Sequence, residues 1–156
     1  MKRLTFFIIL LNITSAIAQE INSDYDSLLA KKLGADDKGI KTYVIGILKT
    51  GSNDVQDKKA RDILFKGHID FIERLIKNGD IVTAGPLEKN ENSYRGLFIL
   101  NVSTIEEANR LLQLDPSIKE KLFAADLYKW STSAALPMYF QFQNKIEKYK
   151  RKRENY

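Results

Sequence analysis

The period of the apolar residues changes several times along this chain, and each change marks an element. From Asp57 to Asn78 the apolar positions Ala60, Ile63, Leu64, Phe71, Ile72, Leu75 and Ile76 recur three and four residues apart. That spacing gathers them on one stripe of a helix. Asp57 stands where a carboxylate serves the first turn, and Gly79 where a left-handed cap ends the last. Upstream, Thr42–Leu48 (TYVIGIL) is β-branched and aromatic and bounded by Gly51 and Asn53, which predicts a strand. Downstream, Ile81–Ala84 predicts a second strand, broken by Gly85-Pro86. Turn-rich Asn90–Ser93 leads into a third, Gly96–Val102, so these two runs predict a hairpin.

Ser103 with Glu106 three residues on forms a capping box, which predicts a second helix with Ala108, Leu111 and Leu112 inward. Asp115-Pro116 stops it, because the residue before proline is pushed out of helical geometry. A short helical turn through Lys121 follows, then a fourth strand over Asp126–Thr132. After Leu136-Pro137, residues Met138–Lys150 read as a terminal helix with Tyr139, Phe142, Ile146 and Tyr149 as its apolar stripe. The order β-α-β-β-α-β is the ferredoxin-like α+β pattern. Both long helices then lie on one face of an antiparallel sheet, leaving the other face bare. A second copy packed face to face is the economical cover, which predicts a symmetric homodimer.

The ends of the chain change the picture of location. Lys2 and Arg3 precede an apolar run, Leu4–Ile13, and Ala16-Ile17-Ala18 is the small-x-small pattern of a signal-peptidase site. The run is short for a membrane span of about 20 residues. The expectation is an export signal over 1–18 cleaved at Ala18-Gln19, and a periplasmic or secreted protein. A polar lead-in (19–40), one domain (41–136) and a C-terminal helix with basic tail (137–156) follow. The chain has no Cys, so the domain is held by its core and not by disulfides. Without Lys2 and Arg3 the balance is 23 basic to 20 acidic residues. The tail from Lys145 to Tyr156 alone holds six basic and two acidic ones, so the basic character belongs to the tail. Such a terminal cluster is most simply a solubilising end; attraction to an anionic membrane surface is the lesser reading. A nucleic-acid partner is not expected, because the bases of this charge are not spread over a face with interleaved aromatics.

His68 is the only histidine. It lies four residues after Leu64 and four before Ile72, on the edge of the buried stripe. A lone imidazole there is more often packing, but it is also the side chain suited to move protons near neutrality. Other candidates are less specific. Arg61, seven residues earlier on the same face, can bind an anion or merely cover the helix. Thr83, Gly85 and Pro86 close a strand where the backbone can approach a ligand. Tyr94 and Arg95 flank the hairpin. Trp130 lines a pocket or the core. Asp70, two residues from His68, points elsewhere on the helix. One histidine and no cysteine speak against a metal site built by this chain, and no phosphate-cradling loop or nucleophile elbow is present, so no cofactor is predicted.

The combination His68…Gly79-Asp80…Thr83-Ala84-Gly85-Pro86, then Gly96–Leu100, then Glu106-Glu107-Ala108…Asp115-Pro116 resembles the YCII-related domain family. The match runs from about Thr42 to Trp130, and its specificity lies in the order of His, AGP and DP over this architecture. The resemblance implies the fold of the dimeric α+β barrels and an enzyme-like site on a His–Asp pair, here His68 and Asp115. Ring-processing dehalogenation chemistry is known in that group, although most members lack an assigned reaction. The export signal and the basic C-terminal helix are additions to the family pattern and argue against a cytosolic metabolic role. Three functions stay open: proton transfer on a small organic substrate, binding of a small ligand without turnover, and a structural or envelope-associated dimer.

Overall fold

The computed structural model describes residues 22–146 and Lys148. The predicted export segment with its cleavage point, Tyr149, and most of the basic tail lie outside the described residues. The elements are α1 (Ser27–Leu33), β1 (Ile40–Thr50), α2 (Lys58–Asn78), β2 (Ile81–Pro86), β3 (Tyr94–Leu100), α3 (Ile105–Leu112), α4 (Pro116–Lys119) and β4 (Phe123–Ser133). A 3-10 turn (Leu136–Tyr139) and α5 (Phe140–Ile146) complete them. The four strands form one antiparallel sheet in the order β2-β3-β1-β4. With α2 and α3 as the crossovers, this is the predicted ferredoxin-like α+β fold.

Strand alternation divides the side chains between two faces. Val44 and Leu48 of β1 and Phe98 and Leu100 of β3 pack against Phe71 and Leu75 of α2 and Ala108 and Leu112 of α3. This is the main core. On the opposite, outer face, Tyr43, Val82 and Ile99 form a second cluster with Ile45, Leu97, Trp130 and Leu136 around it. Contrary to expectation, that face is partly covered by the chain itself. The 3-10 turn brings Leu136 onto it, and the Tyr139 hydroxyl donates to the Val82 carbonyl at 2.8 Å. The Tyr43 phenol, fully buried, points to the Ala134 carbonyl at 3.3 Å, and burial holds its pKa above the usual tyrosine value.

Local expectations hold where the signal is local. The Asp57 side chain accepts from the Lys59 amide, and Gly79 ends α2 at φ 82°. Four details differ. The cap of α3 is Thr104, whose Oγ1 accepts from Glu107 N at 3.2 Å, while the Glu107 carboxylate reaches back to Ser103 N. The doublets Ser103-Thr104 and Glu106-Glu107 allow the capping box in two registers, and the later one is used. Gly85-Pro86 does not break β2: Pro86 pairs with Gly96, and proline is tolerated because β2 is an edge strand. Ile63 is exposed, not buried. Five residues from His68 turns it about 140° round the helix, away from the seam of Leu64, His68, Phe71 and Leu75. The terminal segment starts as a 3-10 turn because Pro137 occupies its first residues. Among the described residues of its expected stripe, Tyr139 docks, while Phe142 and Ile146 are exposed.

Asn101, which follows β3, braces two elements. The Asn101 side chain accepts from Lys41 Nζ at 2.7 Å and donates to the Gly79 carbonyl at 3.0 Å, tying β1 to the end of α2.

Candidate active site

α2 carries His68 on its inward seam, and the chain returns to it at the α3–α4 junction. There Asp115 is the N-cap of α4: its Oδ1 accepts from the Ser117 amide at 2.9 Å, and Pro116 takes the first helical position. This placement leaves Oδ2 free to face α2, and it meets His68 Nδ1 at 2.5 Å. Asp115 is fully buried and His68 is 7 % exposed. A stop signal in the sequence is therefore also a start, and the start aims a carboxylate at the imidazole.

The bond assigns the tautomer. A carboxylate accepts and does not donate, so Nδ1 carries the proton and Nε2 keeps its lone pair in the neutral ring. Nε2 has no hydrogen-bond partner among the described residues. No fully buried side-chain nitrogen or oxygen among them lacks a partner. The small exposed part of His68 therefore includes Nε2. The arrangement is an imidazole held on its inner nitrogen and open on its outer one.

Two phenyl rings complete the surroundings. Phe123 stands edge-on to the imidazole with centroids 5.2 Å apart, and Phe65 lies 6.5 Å from it. A cleft of about 330 Å³ opens between Gly51-Ser52, the α3–α4 segment and the start of β4; neither His68 nor Asp115 lines it. Phe123 lines that cleft and touches His68, and Asn109, Gln113, Lys119 and Lys121 supply its polar rim.

The other predicted site residues are not gathered here. Arg61 is exposed, and its guanidinium donates to the Val55 carbonyl at 3.3 Å. Thr83 and Gly85 face the same way as their partners Ile99 and Leu97, on the outer side of the sheet. Trp130 pairs with Tyr43 on that side. Gly85 and Pro86 are exposed, and a Cβ at Gly85 would meet nothing within 4 Å, so no close approach requires that glycine in this chain. Arg95 donates to Thr50 Oγ1, and Asp70 pairs with Lys66 one turn away. At the far end of the outer face Lys49 donates to Asp126 at 2.6 Å, and this hydrogen bond raises its ammonium pKa. Among the described residues no group of three or more His, Asp or Glu side chains is placed to hold a metal ion.

Sequence reasoning missed Phe65, Phe123, Gly67 and Ser117. Asp-Pro-Ser as N-cap, N1 and N2 of a helix was a readable signal for the α4 start. The rings and the long-range contacts carried none.

No protein-family model matches the chain, and no curated protein matches it in sequence. Among solved structures, one similar in part is the 5-chloro-2-hydroxyhydroquinone dehydrochlorinase of Burkholderia phenoliruptrix AC1100, in complex with 2,5-dihydroxybenzoquinone. The likeness covers 56 % of this chain and 92 % of that one, at 18 % identity and a TM-score of 0.42.

Proposed function

We propose that this chain is an exported, YCII-like, homodimeric small-molecule protein in which His68 moves a proton to or from a small organic substrate. The observation that carries the reading is the buried His68–Asp115 pair with Nε2 left open. Asp115 orients the ring and fixes Nδ1–H. Nε2 then accepts a proton from an acidic C–H or O–H of the ligand, and the Asp115 carboxylate stabilises the resulting imidazolium. Returning the proton to the ligand or to water restores the neutral ring, so the cycle balances without a further reagent. The cleft whose wall includes Phe123 is the candidate ligand space on this reading, since the Phe123 ring is what it shares with the imidazole.

Packing alone accounts for this pair less well. A buried ion-pairing carboxylate is costly to desolvate, and a hydrophobic pair would fill the same space at no such cost. Assembly has its own support. Ile45, Ile47, Leu97 and Trp130 are only half-buried, and Tyr128 is 54 % exposed, all on the outer face. A second copy seated there would cover them. Residues 1–18 support export.

The test is solvent-deuterium incorporation into a panel of small carbon acids and hydroxylated ring compounds. His68→Gln should lower exchange into the responsive compound by about 10²- to 10⁴-fold, the usual worth of a positioned acid–base group. Its thermal midpoint and dichroism should stay near wild type. Exchange that survives His68→Gln at full rate rules proton transfer out. Binding without exchange in wild type leaves a ligand-binding module.

A further inference from the structure

α4, whose N-cap is Asp115, is joined to α2 on the turn that leads into His68. The Ser117 hydroxyl, fully buried, donates to the Leu64 carbonyl at 2.7 Å. Leu64 lies four residues before His68, so this is the carbonyl to which the backbone N–H of His68 itself donates in the helix. One residue before His68, Gly67 faces the Pro116 ring. A Cβ at 67 would stand 2.6 Å from Pro116 Cγ, a distance real Cβ atoms do not show. Inside a helix alanine is otherwise the better residue. Here the missing side chain is what lets Pro116 settle on the helix, and its neighbour Asp115 is carried to Nδ1.

We infer that Gly67 and Ser117 are positioning residues: by seating Asp115-Pro116 on α2 they hold the carboxylate on Nδ1 and set the tautomer of His68. Gly67 fixes how close the turn comes, and Ser117 fixes its register along α2. Ser117 contributes twice, since its amide holds Asp115 Oδ1 while its hydroxyl holds α2. The consequence for activity rests on the proton-transfer reading of His68; the geometry does not.

The experiment reads the imidazole nitrogens of the full-length protein by 15N NMR, which needs no assignment because there is one histidine. Three variants are compared with wild type: Gly67→Ala, Ser117→Ala, and Gly67→Ala combined with Pro116→Ala. Gly67→Ala should shift the ratio of Nδ1–H to Nε2–H tautomer about tenfold towards Nε2–H, the scale of coupling between touching residues. Removing the Pro116 ring relieves the collision, so the double variant should return to within about twofold of wild type. Ser117→Ala should shift the ratio in the same direction by about threefold, the scale of one lost hydrogen bond. A folded Gly67→Ala with the wild-type ratio overturns the inference, as does a double variant no better than the single. Should Gly67→Ala fail to fold, the other two decide: a wild-type ratio in Ser117→Ala overturns it, and the predicted shift there with a restored double variant upholds it. Predicted shifts in a protein that exchanges no deuterium would sink the proton-transfer reading and leave this one standing.

Discussion

The two faces of the single sheet are built on opposite terms. On the helix side, a fully buried carboxylate and a nearly buried imidazole are paired beneath the sheet, with Nδ1 held and Nε2 open. On the outer face the chain buries only apolar residues and one phenol, and leaves Ile45, Leu97, Trp130 and Tyr128 partly open. Burying a charge-bearing pair costs free energy that an apolar core avoids. A face left half-covered costs solubility unless something covers it. On the proposed function the contrast separates two duties, proton transfer on the helix side and assembly on the outer side. Thr83, Gly85 and Trp130 lie on that outer face, not on the side of the imidazole.

The largest expected effect comes from cutting the helix-side pair. Asp115→Ala removes the α4 cap and leaves Nδ1–H buried without an acceptor. It should cost about 3 kcal/mol of stability in denaturant unfolding, summing a lost cap and an orphaned donor. A loss below about 0.5 kcal/mol, the range of an ordinary surface change, would mean that the pair is not part of the core.

Next in size is an outer-face change that should leave the pair alone. Ile45→Lys places a charge in the half-open apolar patch and should weaken dimerisation by about 100-fold in sedimentation equilibrium, a hot-spot effect. The His68 NMR signals should not move. A wild-type protein that is monomeric at millimolar concentration would remove the assembly role from this face.

The smallest effect separates the faces by pH. Burial raises the Tyr43 pKa, so the folded state holds this proton more tightly than the unfolded chain does. Its contribution is complete below the unfolded tyrosine value of about 10 and is lost as pH rises through the folded value. Tyr43→Phe should lose about 1 kcal/mol at pH 7 with the hydrogen bond to Ala134, and should show a shallower alkaline decline than wild type. A decline of equal slope in both proteins would place the alkaline sensitivity elsewhere.

Much of this division was legible in the chain. The strand alternation of β1 and the three-and-four spacing of α2 report their own geometry, so the elements and their inward faces follow from local pattern. Ser103-Thr104 with Glu106-Glu107 shows the limit of local pattern, since the motif fits twice and tertiary packing chooses. Phe123 was missed because Phe-Ala-Ala lacks the β-branched signature; that stretch is a strand only because Leu48–Thr50 of β1 pairs with it. His68 and Asp115 were joined by a family motif, not by spacing. The contacts of Pro116 with Gly67 and of Ser117 with Leu64 cross about fifty residues of chain and leave no periodic trace. Export and the tail rest on residues beyond those described.

The most direct measurement is the 15N imidazole spectrum of His68 in wild type and in Asp115→Asn, recorded across neutral pH. In Asp115→Asn the amide oxygen must serve the Ser117 N–H, which turns the NH₂ towards Nδ1. Wild type should carry its neutral proton on Nδ1, and Asp115→Asn should carry it on Nε2. Finding Nε2–H in wild type, or the same tautomer in both proteins, would contradict an imidazole held by Asp115 and open at Nε2.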